Sequence, residues 1–167
     1  MSRRLAATAV AALALALTAC CGAGGTDPYA STGSLPAAPP EVLAAPTGTV
    51  LSANSTAQLG VVVIDGLGWT LYRSDADSAD PPTATCVDAC ATAWPPVLAE
   101  PGTPLSLEGV AQEDVGTVVR PDGGVQVTVG GWPVYRHAAD PQPGATEGHG
   151  KDGWSAVTPT GGRAEAL

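Results

Sequence analysis

The sequence predicts a mainly β fold in which two repeated antiparallel hairpin units form one small β-rich domain, with a short helix at a Cys-x3-Cys segment. Three observations lead there. The 167 residues include 21 Gly and 16 Pro, and only 14% are charged, against about 25% in ordinary globular chains; such a composition disfavours long helices. Aromatic residues are 4% of the chain, Phe is absent, and six of the seven aromatics lie between Trp69 and Trp154, so the core must be there. The stretch Gly68-Trp69-Thr70-Leu71-Tyr72-Arg73-Ser74-Asp75-Ala76-Asp77 aligns without gaps with Gly131-Trp132-Pro133-Val134-Tyr135-Arg136-His137-Ala138-Ala139-Asp140, identical at six of ten positions. A duplicated unit of this size points to two copies of one supersecondary structure.

At the N-terminus, Arg3 and Arg4 precede an apolar run from Leu5 to Leu17. It is shorter than the roughly 20 residues of a spanning helix but suits a signal peptide. Leu17-Thr18-Ala19-Cys20 then resembles a bacterial lipobox, so residues 1–19 are expected to be removed and Cys20 to carry the lipid. Losing both arginines takes the formal charge from −9 to −11. So acidic a chain lacks the clustered cations that nucleic-acid binding requires. Residues 20–58, rich in Ala, Gly and Pro, are read as a disordered tether that lifts the domain off the membrane.

The domain is expected over 59–159, with repeats at about 59–100 and 117–159. In the second, 125–129 alternates apolar with polar residues, Gly130-Gly131 suits a tight turn, and 132–136 returns. In the first, 59–64 is an apolar strand, 65–68 a longer turn and 69–73 the return. Pro133 lacks a backbone donor, which places its strand at an edge or bulge. Trp69 and Trp132 are assigned to the core, packing hairpin against hairpin. Between the repeats, 86–94 suits a short helix stopped by Pro95-Pro96. Residues 160–167 are read as a flexible tail.

These features resemble a family of bacterial lipoproteins described as secreted repeats with a Tyr-x4-Asp motif. The matching residues are Tyr72…Asp77 and Tyr135…Asp140, Cys86-x3-Cys90 followed by Ala-x2-Trp94-Pro95-Pro96, Arg120-x-Asp122-Gly123 with Gln126, and Gly131-Trp132-Pro133-Val134-Tyr135. The resemblance implies an extracytoplasmic domain and no particular activity.

Chemistry-bearing residues are few. Cys86 and Cys90, in an oxidising compartment and about 6 Å apart if helical, suit a disulfide, with a redox dithiol or a thiolate metal site as alternatives. Each Tyr–Asp pair is a ligand site, or a packed tyrosine beside an aspartate that accepts loop N–H groups or pairs with an arginine. His137 and His149, in a stretch that reads as a solvent loop, are the candidate metal or haem ligands. No Gly-x-Ser-x-Gly, P-loop, His-Glu-x-x-His or dinucleotide fingerprint occurs. The expectation is a non-catalytic, lipid-anchored binding or interaction module on the extracytoplasmic side of the cell membrane. It needs no cofactor; the membrane is its one identified partner. The alternatives are an accessory to envelope redox or metal and haem handling, and a cell-wall-glycan binder using exposed tryptophans.

Overall fold

Strand β1 (Val50–Thr56) opens the ordered domain, eight residues before the expected end of the tether. The computed structural model describes residues 48–167; the signal peptide, Cys20 and the tether up to residue 47 lie outside the described residues. The tether boundary is thereby corrected. Polar Ser and Asn residues disguise β1, whose regularity comes from its partner: it pairs antiparallel with β2 (Gly60–Asp65), Leu51 facing Asp65 and Thr56 facing Gly60. The Thr56 hydroxyl accepts from Leu59 N–H at 3.0 Å and donates to Gly60 O at 3.1 Å, which locks the turn.

There follow β3 (Tyr72–Ser74), β4 (Ser78–Ala79), β5 (Pro82–Thr83), helix α1 (Ala89–Ala93), β6 (Ser106–Glu108), β7 (Val115–Val119), β8 (Val125–Val129), β9 (Trp132–Pro133) and β10 (Trp154–Ala156). They form small sheets ordered β2-β1-β6, β10-β3, β4-β5 and β7-β8-β9. The fold is mainly β, as expected, with its one described α-helix beside the cysteines. Among the described residues no helix is long and apolar enough to cross a membrane.

The hairpin expected at 125–136 forms. Gly130 and Gly131 both take positive φ, at 56° and 81°, and β9 runs back as the edge strand expected for Pro133. In the first repeat the return also runs back along β2, Leu71 N–H donating to Val63 O at 2.9 Å, but it pairs more sparsely. Only Ile64↔Thr70 bridges, and β2 takes β1 as its main partner. The cause lies in the longer turn, where Asp65 Oδ1 accepts from Leu67 N–H at 2.8 Å and Trp69 N–H at 3.0 Å. Those side-chain bonds close the turn above the backbone bond from Asp65 N–H to Trp69 O (3.0 Å), and regular strand resumes at Tyr72.

Successive strand residues point to opposite faces, and here the two faces feed two cores. Val63, Leu71, Val97, Val127, Val134 and Val157 enter an aliphatic core with Leu51, Val110 and Val129. Their neighbours Val62, Tyr72, Tyr135 and Ala156 enter an aromatic core with Trp94, Trp154, Leu59, Cys86 and Ala164. Few aromatics suffice because they are gathered in one place.

Backbone hydrogen bonds show the duplication most plainly. Val63 N–H donates to Val157 O (2.9 Å), Val157 N–H to Leu71 O (3.0 Å) and Leu71 N–H to Val63 O (2.9 Å). The second repeat repeats this closed trio with Val127 to Val97 (2.9 Å), Val97 to Val134 (3.0 Å) and Val134 to Val127 (3.1 Å). Each trio borrows one member from the other repeat. The segment after Trp154 closes the first hairpin, and the segment after Trp94 closes the second.

The expected flexible tail is also corrected. Arg163 bridges Val157, Ala164 N–H donates to Ala156 O at 2.8 Å, and Leu167 N–H reaches Gln58 O at 2.9 Å. Ala164 is buried, so the tail lids the aromatic core.

Candidate functional site

Tyr72 and Tyr135 face each other at the centre, each donating its N–H to the other's carbonyl, at 2.8 and 2.9 Å. Both are fully buried. Tyr72 donates its phenolic proton to Asp140 Oδ2 at 2.7 Å, and Tyr135 donates to Asp77 Oδ2 at 2.8 Å. The tyrosine of each repeat therefore bonds the aspartate of the other, forming a crossed clasp. Asp77 accepts from loop groups as expected, taking Thr85 N–H at 2.8 Å and Thr85 Oγ1–H at 2.7 Å on Oδ1. Burial above all, then the bonded carboxylate, raises both phenols well beyond the ordinary tyrosine range.

Over the clasp, Trp94 and Trp154 stack with centroids 4.0 Å apart and planes 5° off parallel. Each meets one tyrosine edge-on, Trp94 with Tyr72 and Trp154 with Tyr135. The core assignment of Trp69 and Trp132 is corrected: both are only half-buried, and the stacked pair inside is Trp94 with Trp154. Arg73 lies 3.1 Å from the Trp132 ring centroid and donates from Nη1 to Gly161 O at 3.1 Å.

Other sequence candidates are structural as well. Cys86 and Cys90 form a disulfide with Cα atoms 5.2 Å apart. Arg120 donates from Nη1 to Gln126 Oε1 (2.6 Å) and from Nη2 to Cys86 O (2.8 Å), while pairing with Asp122 at 2.9 Å. Gln126 Nε2 donates to Val134 O at 2.9 Å.

The histidines part company. His137 is buried rather than on a solvent loop, stacked on Trp94 with centroids 4.3 Å apart. Its Nδ1 lies 3.0 Å from Asp140 Oδ1. Since a carboxylate only accepts, Nδ1 carries the proton. His149 Nδ1 instead accepts from Ala156 N–H at 3.3 Å. Among the described residues no group of three or more His, Cys, Asp or Glu is placed to hold a metal.

A cavity of about 240 Å³ opens beside the clasp, lined by Trp69, Pro95, Arg136, His137, Ala138 and Asp140. Arg136 pairs through Nε with buried Asp65 and its side chain remains 40% exposed. Sequence reasoning named Trp69, His137 and Asp140 but missed that Arg136 and Ala138 join them. For Ala138 the available signal was divergence between the copies, since His137 and Ala138 stand where the first repeat has Ser74 and Asp75; Arg136, shared with Arg73, carried no such signal.

The family model Lipoprotein_15, described as a secreted repeat of unknown function, matches residues 54–98 and 116–158. Together these are more than half of the chain. The chain belongs to this family. Each matched stretch contains one hairpin and ends on the segment that closes the other repeat's hairpin, so the family unit is half of an interlocked pair. A secreted repeat is an extracytoplasmic module, in keeping with the disulfide. No curated protein and no solved structure matches the chain.

Proposed function

We propose that this chain is a lipid-anchored extracytoplasmic binding module of the bacterial cell envelope, non-catalytic, which holds a small ligand in the cavity beside Trp69. The observation that carries the reading is an asymmetry within the duplicated framework. Trp132 is covered by the Arg73 guanidinium, whereas its counterpart Trp69 borders an open cavity. A concave site with an aromatic wall and a few converging polar groups is the usual form of a small-molecule site. The non-catalytic part of the reading draws on the clasp. Its phenols and carboxylates are bonded to one another, and a phenol raised far above neutrality is a poor general base. Leu17-Thr18-Ala19-Cys20 supports the anchor.

Amide NMR of the mature protein with neutral, anionic and cationic ring compounds tests the binding reading. Shifts are expected at the Trp69 indole and at 136–140. Silence at these residues with every ring overturns it, and chemical conversion of a bound ring overturns its non-catalytic part. For the anchor, Cys20→Ala should move the protein from the membrane to the soluble extracytoplasmic fraction; unchanged membrane retention overturns that assignment.

A further inference from the structure

The asymmetry around Trp69 has an identifiable cause. The backbone trios make Val63 equivalent to Val127, and two residues along the same strands Asp65 becomes equivalent to Val129. Arg136 finds the Asp65 carboxylate and is drawn to it. Arg73 finds Val129 there instead, and its nearest carboxylate is Asp75, 3.9 Å away. It lies down on Trp132. The first-repeat turn thus holds Arg136 off the Trp69 ring and leaves the ring facing a cavity.

Three groups of different chemistry then converge. Trp69 lines the cavity, and the negative face of an indole attracts the weakly positive C–H groups of a saturated ring. Beyond Asp65, the Arg136 guanidinium has no hydrogen-bonded partner among the described residues, which leaves fork-shaped donors that fit a carboxylate. In the neutral His137 ring, with Nδ1–H engaged by Asp140, Nε2 is an acceptor; it has no partner among the described residues. An acceptor beside a donor fork calls for a ligand carrying both a hydroxyl and an anion. Asp65 already compensates part of the Arg136 charge and Asp140 stands in the wall, so a single negative charge fits better than the two of a phosphate monoester. Volume limits size as well. At about 240 Å³ the cavity falls below the roughly 300–1,000 Å³ of sites for drug-sized molecules, which suits one ring rather than an oligomer.

We propose that the cavity binds a single sugar-acid ring, stacked on Trp69, with its carboxylate on Arg136 and a hydroxyl donating to His137 Nε2. This rests on the binding-module reading and specifies its ligand. The histidine serves as acceptor here, positioned by Asp140, and Trp94 supports its ring at 4.3 Å.

The test is calorimetric and NMR titration of the mature protein with glucuronate, its methyl ester, glucose and glucosamine. Glucuronate should bind at the Trp69 side at least about tenfold more tightly than the ester or glucose, because only it engages the guanidinium. Glucosamine should bind most weakly. Ester, glucose or glucosamine binding as tightly as glucuronate overturns the sugar-acid assignment while leaving the binding module standing. Failure of all four to bind overturns the assignment, and the wider ring panel then decides the module separately. Two variants locate the site. Trp69→Ala should weaken glucuronate about tenfold or more, and Ala138→Leu, at an exposed position, should fill the cavity and abolish binding without unfolding the domain. Trp132→Phe should bind as the parent does. Full glucuronate affinity in folded Ala138→Leu places the ligand elsewhere and overturns the proposal, whether or not Trp69→Ala folds.

Discussion

The two repeats carry the same backbone trio, the same tyrosine and the same tryptophan, and each lends the other the strand that completes it. They differ where chemistry is available. The first has a disulfide at Cys86–Cys90, Thr85 on its aspartate and Asp65 at the end of its first core strand. The second has His137 on its aspartate, and Val129 where the first has Asp65. What is shared holds the domain together. What differs, namely His137, Ala138 and the Asp65 that draws Arg136, decides which of the two shared tryptophans borders a cavity. The crossed Tyr–Asp pairs are therefore framework, and the divergent positions are what leaves Trp69 and Arg136 open to a cavity while Trp132 and Arg73 cover one another.

The strongest way to break this comparison is to separate the repeats. A fragment of residues 48–110 lacks the strand Trp154–Ala156 and the Val157 carbonyl that accepts from Val63, and it retains a Trp94 with nothing to stack on. It should show no near-ultraviolet tryptophan signal and no cooperative melting. Mixing with a fragment of 111–167 should restore both. Cooperative folding of either fragment alone would mean that the exchange of strands is incidental.

Much of this is legible in the sequence, and what is not has physical reasons. The 125–136 hairpin could be read because alternation and Gly130-Gly131 state strand and turn locally. The first strand, Val50–Thr56, could not, since only its pairing with β2 distinguishes its polar residues from the tether before it. The crossed clasp escaped because Tyr72 and Asp77 lie close in sequence, which invites a local pairing. Nothing within one repeat says whose aspartate a tyrosine reaches. His137 was misplaced on a solvent loop because the Pro-Gly-rich residues after it are exposed, while its own stack on Trp94 depends on a contact 43 positions away.

A double-mutant cycle sharpens the comparison at the clasp. Tyr72→Phe combined with Asp140→Ala should show a coupling of about 1.5–3 kcal/mol, the range for a hydrogen bond to a charged group. Tyr72→Phe with Asp77→Ala should add to within about 0.5 kcal/mol, as groups without a shared contact do. Tyr135 should give the mirror result, coupling to Asp77 and not to Asp140. Chemical denaturation of the single and double variants supplies the numbers, and stronger coupling within a repeat than between repeats would refute the crossing.

Alkaline titration reads the same two bonds without a mutation. Both phenols have folded pKa values raised above the unfolded value of 10.0, chiefly by burial. The folded state therefore binds these protons more tightly than the unfolded state, and stability falls wherever the unfolded phenols release them. Their contribution is complete below about pH 10 and is lost as pH climbs from there toward the folded values. The melting temperature should drop above that point, and phenolate absorbance from two of the three tyrosines should rise only together with unfolding. Phenolate formation by all three near pH 10 in a still-folded domain would show that Tyr72 and Tyr135 are not held as described.

The smallest expected effect on stability comes from the residue that separates the repeats functionally. Asp65→Asn keeps an oxygen able to accept from Leu67 and Trp69 N–H while removing the charge that draws Arg136. The turn should survive, and because Arg136 is partly exposed no buried cation is stranded, so the loss should be about 1 kcal/mol or less. Freed from its carboxylate, Arg136 meets the situation of Arg73 and should settle on Trp69 as Arg73 does on Trp132. That closes the cavity by filling it with the protein's own cation. Changed Trp69 indole shifts together with lost glucuronate binding would make the first repeat resemble the second. An unchanged Trp69 environment would mean that the longer turn 65–68, rather than the Asp65 charge, keeps the site open.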